Sequence, residues 1–131
     1  MIILDTQALV WWSTKPENLS RQAFARIESE TQKGKIFISS ISIFEVYLLI
    51  KKKKIAFSVD IDDWLETIEK SSDFEFVPVN NKIAAKSVNI PEPFHKDPAD
   101  RIIVATAREL GATLVTSDQK IRKYPHVQTL W

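Results

Sequence analysis

The stretch that most constrains the fold is the N-terminal run MIILDT, residues 1–6. Its first four residues are apolar and rich in β-branched side chains, which predicts a strand buried on both faces of a sheet. A carboxylate, Asp5, follows at once, and an apolar helical pattern begins at Ala8. Asp5 therefore marks the change from a central parallel strand to a helix, which is the edge where open α/β sheets bind ligands. Taken alone, Asp5 is better explained as a helix N-cap.

Size and composition narrow the class of protein. The chain has 131 residues, enough for a single domain (1–131) and too few for two. A formal net charge of +1 gives no global basic excess, so any site for a polyanion must be a local patch. The absence of cysteine excludes disulfides and thiolate catalysis, and the two histidines argue against a zinc site. Without a signal sequence or an apolar run of membrane length, we expect a cytoplasmic protein with no membrane partner.

Strand and helix signals alternate along the rest of the chain. Short apolar stretches predict further strands at 36–38, 74–79, 113–116 and 127–129. Apolar residues at helical spacing fill most of the sequence between them. Strands separated by helices imply parallel crossover connections. We therefore predict a three-layer α/β/α sandwich around a central parallel sheet of four to five strands.

Further acids stand near the expected strand ends. Glu45 is the only charged residue between 41 and 50, within an otherwise apolar helix, although Ser42 three residues earlier would also fit a capping box. Asp97 has the position of an N-cap before Pro98, and Asp100 lies in the first turn of the same helix. Asp118 follows its strand as Asp5 follows the first. Each acid, considered singly, is better explained as a structural residue.

Considered together, these acids are not independent. Helices that follow parallel strands begin at one edge of the sheet, so Asp5, Glu45, Asp100 and Asp118 converge if the first, second and fourth strands are neighbours. Carboxylates at such short distances repel each other, and no Lys or Arg stands at those strand ends to compensate their negative charge. A hard divalent cation held through oxygen ligands, Mg²⁺ or Mn²⁺, is the simplest compensation.

Four features of the chain together resemble the PIN-domain ribonucleases, and most of all the VapC-like toxins of bacterial toxin–antitoxin pairs. In chain order these features are MIILDT, the isolated Glu45, DPADRIIVATA and LVTSD. The resemblance covers the whole chain, from Trp11 and Trp12 after the first strand to the terminal Leu130 and Trp131. It implies a parallel α/β sandwich with a catalytic quartet around one or two metal ions. By this resemblance the quartet is Asp5, Glu45, Asp100 and Asp118, and Asp97 is either a further metal ligand or only a cap.

The implied activity is hydrolysis of RNA phosphodiester bonds by water that a metal ion activates. Asp5 and Asp100 would be the principal metal ligands, with Asp118 completing a second site and Glu45 holding or deprotonating the water. Thr6 and Ser117 either orient these ligands and contact phosphate or only satisfy backbone groups at helix starts. Arg101 either contacts phosphate or pairs with an acid. The implied partners are an RNA substrate, a cognate antitoxin protein and a second copy of the chain.

Several other residues receive a structural interpretation first. Lys51–Lys54 are better explained as a solvated helix end than as an RNA contact, and His95 is not required by a metal-dependent mechanism. Asp60, Asp62 and Asp63 indicate the start of an exposed helix. We interpret the four tryptophans as packing residues, namely Trp11, Trp12, Trp64 and Trp131.

Three rival functions remain to be weighed. An RNA-processing PIN nuclease without an antitoxin would have the same site. A non-catalytic RNA- or protein-binding PIN module would keep the fold, but the retention of all four acids argues against it. A phosphatase of the haloacid dehalogenase type also begins with Asp after the first strand, yet it needs a second Asp two residues later, where this chain has Gln7.

Overall fold

The computed structural model describes residues 1–131 as one five-stranded sheet with helices on both faces. The strands are β1 (Ile2–Leu4), β2 (Ile36–Ser39), β3 (Phe74–Val77), β4 (Thr113–Val115) and β5 (Thr129–Leu130). The helices are α1 (Thr6–Thr14), α2 (Arg21–Lys33), α3 (Ser40–Lys51), α4 (Ile61–Lys70), α5 (Asn81–Val88), α6 (Pro98–Leu110) and α7 (Gln119–Arg122). None of these helices combines the length and hydropathy that a membrane span requires.

The sheet is parallel throughout, in the order β3-β2-β1-β4-β5. Leu4, the last residue of β1, pairs with Ile38 on one side and Val115 on the other. The first, second and fourth strands are therefore neighbours, which is the condition that the convergence of the acids requires. The predicted α/β/α sandwich is confirmed.

Two apolar clusters fill the space between the layers. Ile2 and Leu4 point to one face of the sheet, where they pack with residues of α1, α2, α3 and α4. Ile3 points to the other face and packs with α6 and α7. This split follows from strand geometry, because successive side chains of a strand point to opposite faces. All three side chains of β1 are fully buried, as a central parallel strand requires.

Two strands, β3 and β5, differ from the sequence prediction by more than one residue at a boundary. β3 ends at Val77, before Pro78, because proline has no N–H to continue the ladder. The predicted strand at 127–129 lies instead at Thr129–Leu130, where the two residues pair with Leu114 and Val115. Val127 precedes the ladder and packs against the apolar cluster on the α6 side of the sheet. Val127 is therefore apolar because it packs against this cluster beside the sheet, and not because it belongs to a strand.

Candidate active site

The acids predicted from sequence meet in one cleft at the carboxyl end of the sheet. The cleft has a volume of about 290 Å³. Polar residues line most of it, namely Asp5, Thr6, Gln7, Glu45, Asp100, Ser117 and Asp118, beside an apolar wall of Val10, Leu49 and Ile55. We call this the acidic cleft. Asp97 lies outside it, in an adjoining opening that it shares with His95, Asp100, Asp118 and Lys120.

Three of the acids cap helices, so the structural interpretation of them holds, and it does not exclude a functional one. Asp5 Oδ1 accepts the N–H of Ala8 at 2.7 Å, at the start of α1. Asp118 Oδ1 accepts the N–H of Lys120 at 2.8 Å, and Asp97 Oδ1 accepts the N–H of Asp100 at 3.0 Å. In each case Oδ1 is the oxygen that accepts the capping hydrogen bond.

Glu45 does not belong to a capping box. The N-cap of α3 is Ser39, whose hydroxyl accepts the N–H of Ile41, so Glu45 lies well inside the helix. Its carboxylate instead accepts the hydroxyl hydrogen of Thr6, from the start of α1. The Thr6 hydroxyl oxygen is also 3.0 Å from the hydroxyl oxygen of Ser42, which is fully buried. Thr6 is therefore a positioning residue for Glu45, a more specific role than satisfying backbone groups.

The cleft raises the pKa values of Asp5, Glu45 and Asp100. Burial raises the pKa of Asp5 to about 6, against hydrogen bonds from Thr116 and Ala8 that lower it. Burial, with the charges of Asp97, Asp118, Glu45 and Asp5, raises the pKa of Asp100 to about 7. Burial also raises the pKa of Glu45. Each shift has the same origin: the negative charges are partly desolvated and lie close to one another.

Another buried acid of the protein, Glu30, has cationic partners. Glu30, at the opposite end of the sheet, is 2% exposed and pairs with the amino group of Met1 at 3.3 Å and with Arg26 at 3.0 Å. No Lys or Arg lines the acidic cleft. A buried carboxylate without a cationic partner costs stability. The cleft therefore carries uncompensated negative charge that a bound cation would neutralise.

The donor set of the cleft fits a hard divalent cation, although no three acidic or histidine side chains form a ready metal cage. Mg²⁺ does not need such a cage, because it keeps several waters and uses one or two carboxylates with substrate phosphates. Four carboxylates and two hydroxyls around a cleft of this size supply oxygen ligands only. This chemistry suits Mg²⁺ or Mn²⁺ and not a soft metal.

Arg101 is not brought into the acidic cleft. Its guanidinium donates to the carbonyl oxygens of Ser87, Val88, Phe94 and His95 and to the carboxylate of Glu92 at 2.8 Å. Of the two roles predicted for it, pairing with an acid is therefore the one observed, and that acid is outside the site. The side chain fastens the 88–95 loop to α6.

Sequence reasoning overlooked Thr116 and gave Ser42 no site role. Thr116 is fully buried, its hydroxyl oxygen accepts the N–H of Asp118 at 3.1 Å, and its hydrogen bond lowers the pKa of Asp5. The signal was present, because Thr116 follows Val115 in β4 as Asp5 follows Leu4 in β1, and those strands are paired. Polar residues one step beyond paired strand ends become neighbours, but only the strand order reveals which ends are paired.

The residues interpreted as structural lie where that interpretation expects them. Asp60 caps α4, and Lys51–Lys54 are exposed. Trp64 is buried in the core, and the rings of Trp11 and Trp131 pack at 5.7 Å between centroids. His95 Nε2 is 3.2 Å from Asp100 Oδ2 but off the direction of a hydrogen bond, so this buried nitrogen has no hydrogen-bond partner.

Comparison with known proteins gives a consistent result. The PIN domain model matches residues 2–127. A ribonuclease named VapC22 from Mycobacterium tuberculosis (strain ATCC 25618 / H37Rv) is 33% identical over 132 residues, covering 99% of this chain and 98% of that protein. This identity and coverage match the resemblance predicted from the motifs.

Solved structures of other proteins have a fold similar to that of this chain. VapBC2 from Rickettsia felis, bound to a DNA fragment from its promoter, superposes with a TM-score of 0.72 at 20% identity, covering 99% of this chain and 98% of that one. A toxin–antitoxin complex from Klebsiella pneumoniae gives a TM-score of 0.66 at 23% identity, covering 97% and 95%. At these identities the likeness shows the fold.

Proposed function

The chain belongs to the PIN-domain family, and we propose that it is a metal-dependent endoribonuclease that hydrolyses RNA phosphodiester bonds as a single domain. The observation that supports this most is the convergence of Asp5, Glu45, Asp100 and Asp118 in a cleft without Lys or Arg. A non-catalytic binding module would have no use for four mutually repelling acids, because their repulsion costs stability without helping it to bind polyanionic RNA.

Asp5, Asp100 and Asp118 would hold Mg²⁺ or Mn²⁺, and Asp97 is a further candidate ligand from the adjoining opening. A divalent cation bound there supplies a water of lowered pKa and positive charge for the phosphate. Asp5 and Asp100, whose pKa values are raised in the metal-free protein, would be ionised as ligands of such a cation.

The chain's own residues orient the reactants. Glu45, fixed by Thr6, faces the cleft as a carboxylate that accepts a proton from the attacking water. Ser117 lies beside Asp118 in the cleft lining, where its hydroxyl is available to a phosphate oxygen. The buried Thr116 hydroxyl hydrogen-bonds both the Asp5 side chain and the backbone N–H of Asp118, and so holds these two acids beside each other.

A cleavage assay tests this function. Purified protein is incubated with a mixed RNA pool in Mg²⁺, in Mn²⁺ and in EDTA, beside two matched variants. Asp118→Asn changes a cap inside the cleft, and Asp60→Asn changes an exposed cap outside it. Asparagine caps as well as aspartate, so both variants keep their helices. We expect metal-dependent cleavage by the wild type and Asp60→Asn and none by Asp118→Asn. Equal cleavage by Asp118→Asn would contradict the assignment.

We further propose that the nuclease is the toxin of a toxin–antitoxin pair and acts as a homodimer. Its likeness to a ribonuclease VapC and to structures of toxin–antitoxin complexes supports this role. Expression of the wild type should arrest bacterial growth, and Asp118→Asn should not. Co-expression of a small protein encoded beside this chain should restore growth. Arrest by wild type that no neighbouring gene product relieves would favour an RNA-processing nuclease without an antitoxin.

A further inference from the structure

A second pocket, built from aromatic side chains, opens beside the acidic cleft. It has a volume of about 540 Å³, within the range of small-ligand sites. Its walls carry Phe94, His95, Tyr124 and His126, with Lys120 and Lys123 at its edge. We call this the aromatic pocket. Nothing in the proposed chemistry uses it.

The aromatic rings form one connected cluster. Phe94 and Tyr124 lie 4.6 Å apart between ring centroids, Tyr124 and His126 5.3 Å, and Phe94 and His95 4.3 Å. Tyr124 is buried, Phe94 and His95 are half-buried, and His126 is exposed. The cluster therefore has a buried floor, and Phe94, His95 and His126 keep part of their surface exposed.

The pocket is fixed in place by a dedicated set of hydrogen bonds. Arg101 fastens the loop that carries Phe94 and His95 by donating to both of their carbonyl oxygens. From the other side, the Tyr124 hydroxyl donates to the carbonyl of Pro91 at 2.6 Å. Because these hydrogen bonds fix the loop, the half-buried rings of Phe94 and His95 form a preorganised surface. Preorganisation lowers the entropy cost of binding a ligand.

The aromatic pocket is continuous with the catalytic acids. His95 and Lys120 line both this pocket and the opening that contains Asp97, Asp100 and Asp118. Because these two side chains form a shared wall, the aromatic pocket borders the place where an RNA strand bound at the acids would continue. Lys120 and Lys123 are exposed and supply the positive charge that the acidic cleft lacks.

We propose that the aromatic pocket binds a nucleobase of the single-stranded RNA next to the scissile phosphate and thereby sets the sequence preference of cleavage. Single-stranded RNA is recognised by stacking of bases on Phe, Tyr and His rings, with cations on the flanking phosphates. This proposal depends on the proposed ribonuclease function for its biological role, but the binding itself is testable without activity.

The two histidines make a direct binding test possible, because the chain has no others and both line this pocket. Imidazole proton resonances are followed by NMR during titration with AMP, CMP, GMP or UMP in EDTA, with inorganic phosphate as the reference. We expect saturable shifts of both histidines with at least one nucleotide and weaker shifts with phosphate. No shift with any nucleotide, or equal shifts with phosphate, would overturn the proposal.

A cleavage test uses Phe94→Leu and the exposed His126→Ala, with Phe24→Leu as the matched control, since Phe24 packs against Trp12 away from both pockets. On the RNA pool, the two pocket variants should lose base preference at one position flanking the cut, and kcat/KM should fall roughly tenfold, the size of one lost stacking contact. Phe24→Leu should behave as wild type. Unchanged cut sites in both pocket variants would overturn this proposal while leaving the nuclease function intact. Nucleotide binding without any cleavage would overturn only the nuclease function.

Discussion

At the residue scale, Asp5 and Asp118 in the acidic cleft and Asp97 beside it combine a helix cap with the metal-binding role that we propose for them, and the sequence could not separate these two roles. Asp5, Asp97 and Asp118 each satisfy free N–H groups at a helix start through Oδ1. A cap needs only one oxygen of the carboxylate. The cap does not need the second oxygen, so the metal-binding role that we propose for these acids would cost the helix nothing.

Asp100 should destabilise the metal-free protein at neutral and higher pH. Its pKa is raised to about 7 in the folded chain, so the folded state holds this proton more tightly than the unfolded state. Above pH 7 the folded state carries an unfavourable charge, and stability is regained as pH falls from about 7 towards the unfolded value of 3.8. In EDTA, the free energy of unfolding by urea should therefore rise between pH 8 and pH 6.

Asp100→Asn should remove most of this penalty. At pH 8 in EDTA we expect the variant to be about 1–2 kcal/mol more stable than wild type, less than the full shift implies because solvent screens this partly exposed group. Asp63→Asn, an exposed acid in α4, is the control and should change little. An Asp100→Asn protein less stable than wild type at pH 8 would show that the carboxylate is compensated in the fold.

Thr6 should affect catalysis through Glu45. Thr6→Val keeps the shape of the side chain but removes the hydroxyl that donates to the Glu45 carboxylate. A lost hydrogen bond to a charged group costs about 1.5–3 kcal/mol, so kcat should fall roughly tenfold or more while KM changes little. Thr6→Ser restores the hydroxyl and should recover activity. Equal kinetics for Thr6→Val and wild type would exclude a positioning role.

At the element scale, the 88–95 loop depends on α6 for its conformation. Arg101 donates to four backbone carbonyls and to Glu92, a fork geometry that lysine cannot reproduce. Arg101→Lys should lower the free energy of unfolding by about 2 kcal/mol and speed amide exchange in residues 88–95. Its metal affinity should remain that of wild type. Loss of metal binding without loss of stability would place Arg101 in the catalytic site after all.

At the scale of the whole molecule, the fold was more predictable than the contacts. The buried run at 2–4 and the alternation of strands and helices predict the parallel sandwich, since strand burial and crossover geometry are local consequences of sequence pattern. Thr116 and the position of Arg101 depend on strand order and on loop path, which arise from long-range packing. The convergence of the acids could be predicted because they share one edge of the sheet, whereas the position of Arg101 could not, because most of its partners are backbone carbonyls.

The proposed homodimer makes a prediction at the same scale. Phe44 on α3 is 60% exposed, in a helix whose other apolar side chains, apart from the buried Val46, are half-buried. Burial of this surface in a second copy would stabilise a dimer. The wild type should sediment as a dimer, and Phe44→Asp should shift it towards monomer. A wild-type monomer at high micromolar concentration would contradict the proposed dimer.

The central claim is that the acidic cleft binds a divalent cation, and calorimetric titration with Mn²⁺ tests it most directly. Asp5→Asn keeps the α1 cap but loses the charge in the cleft, while Asp60→Asn makes the same change at the exposed α4 cap. We predict saturable binding by wild type and Asp60→Asn, and an affinity at least tenfold weaker for Asp5→Asn. Equal affinities for all three proteins, or no binding by folded wild type, would contradict it.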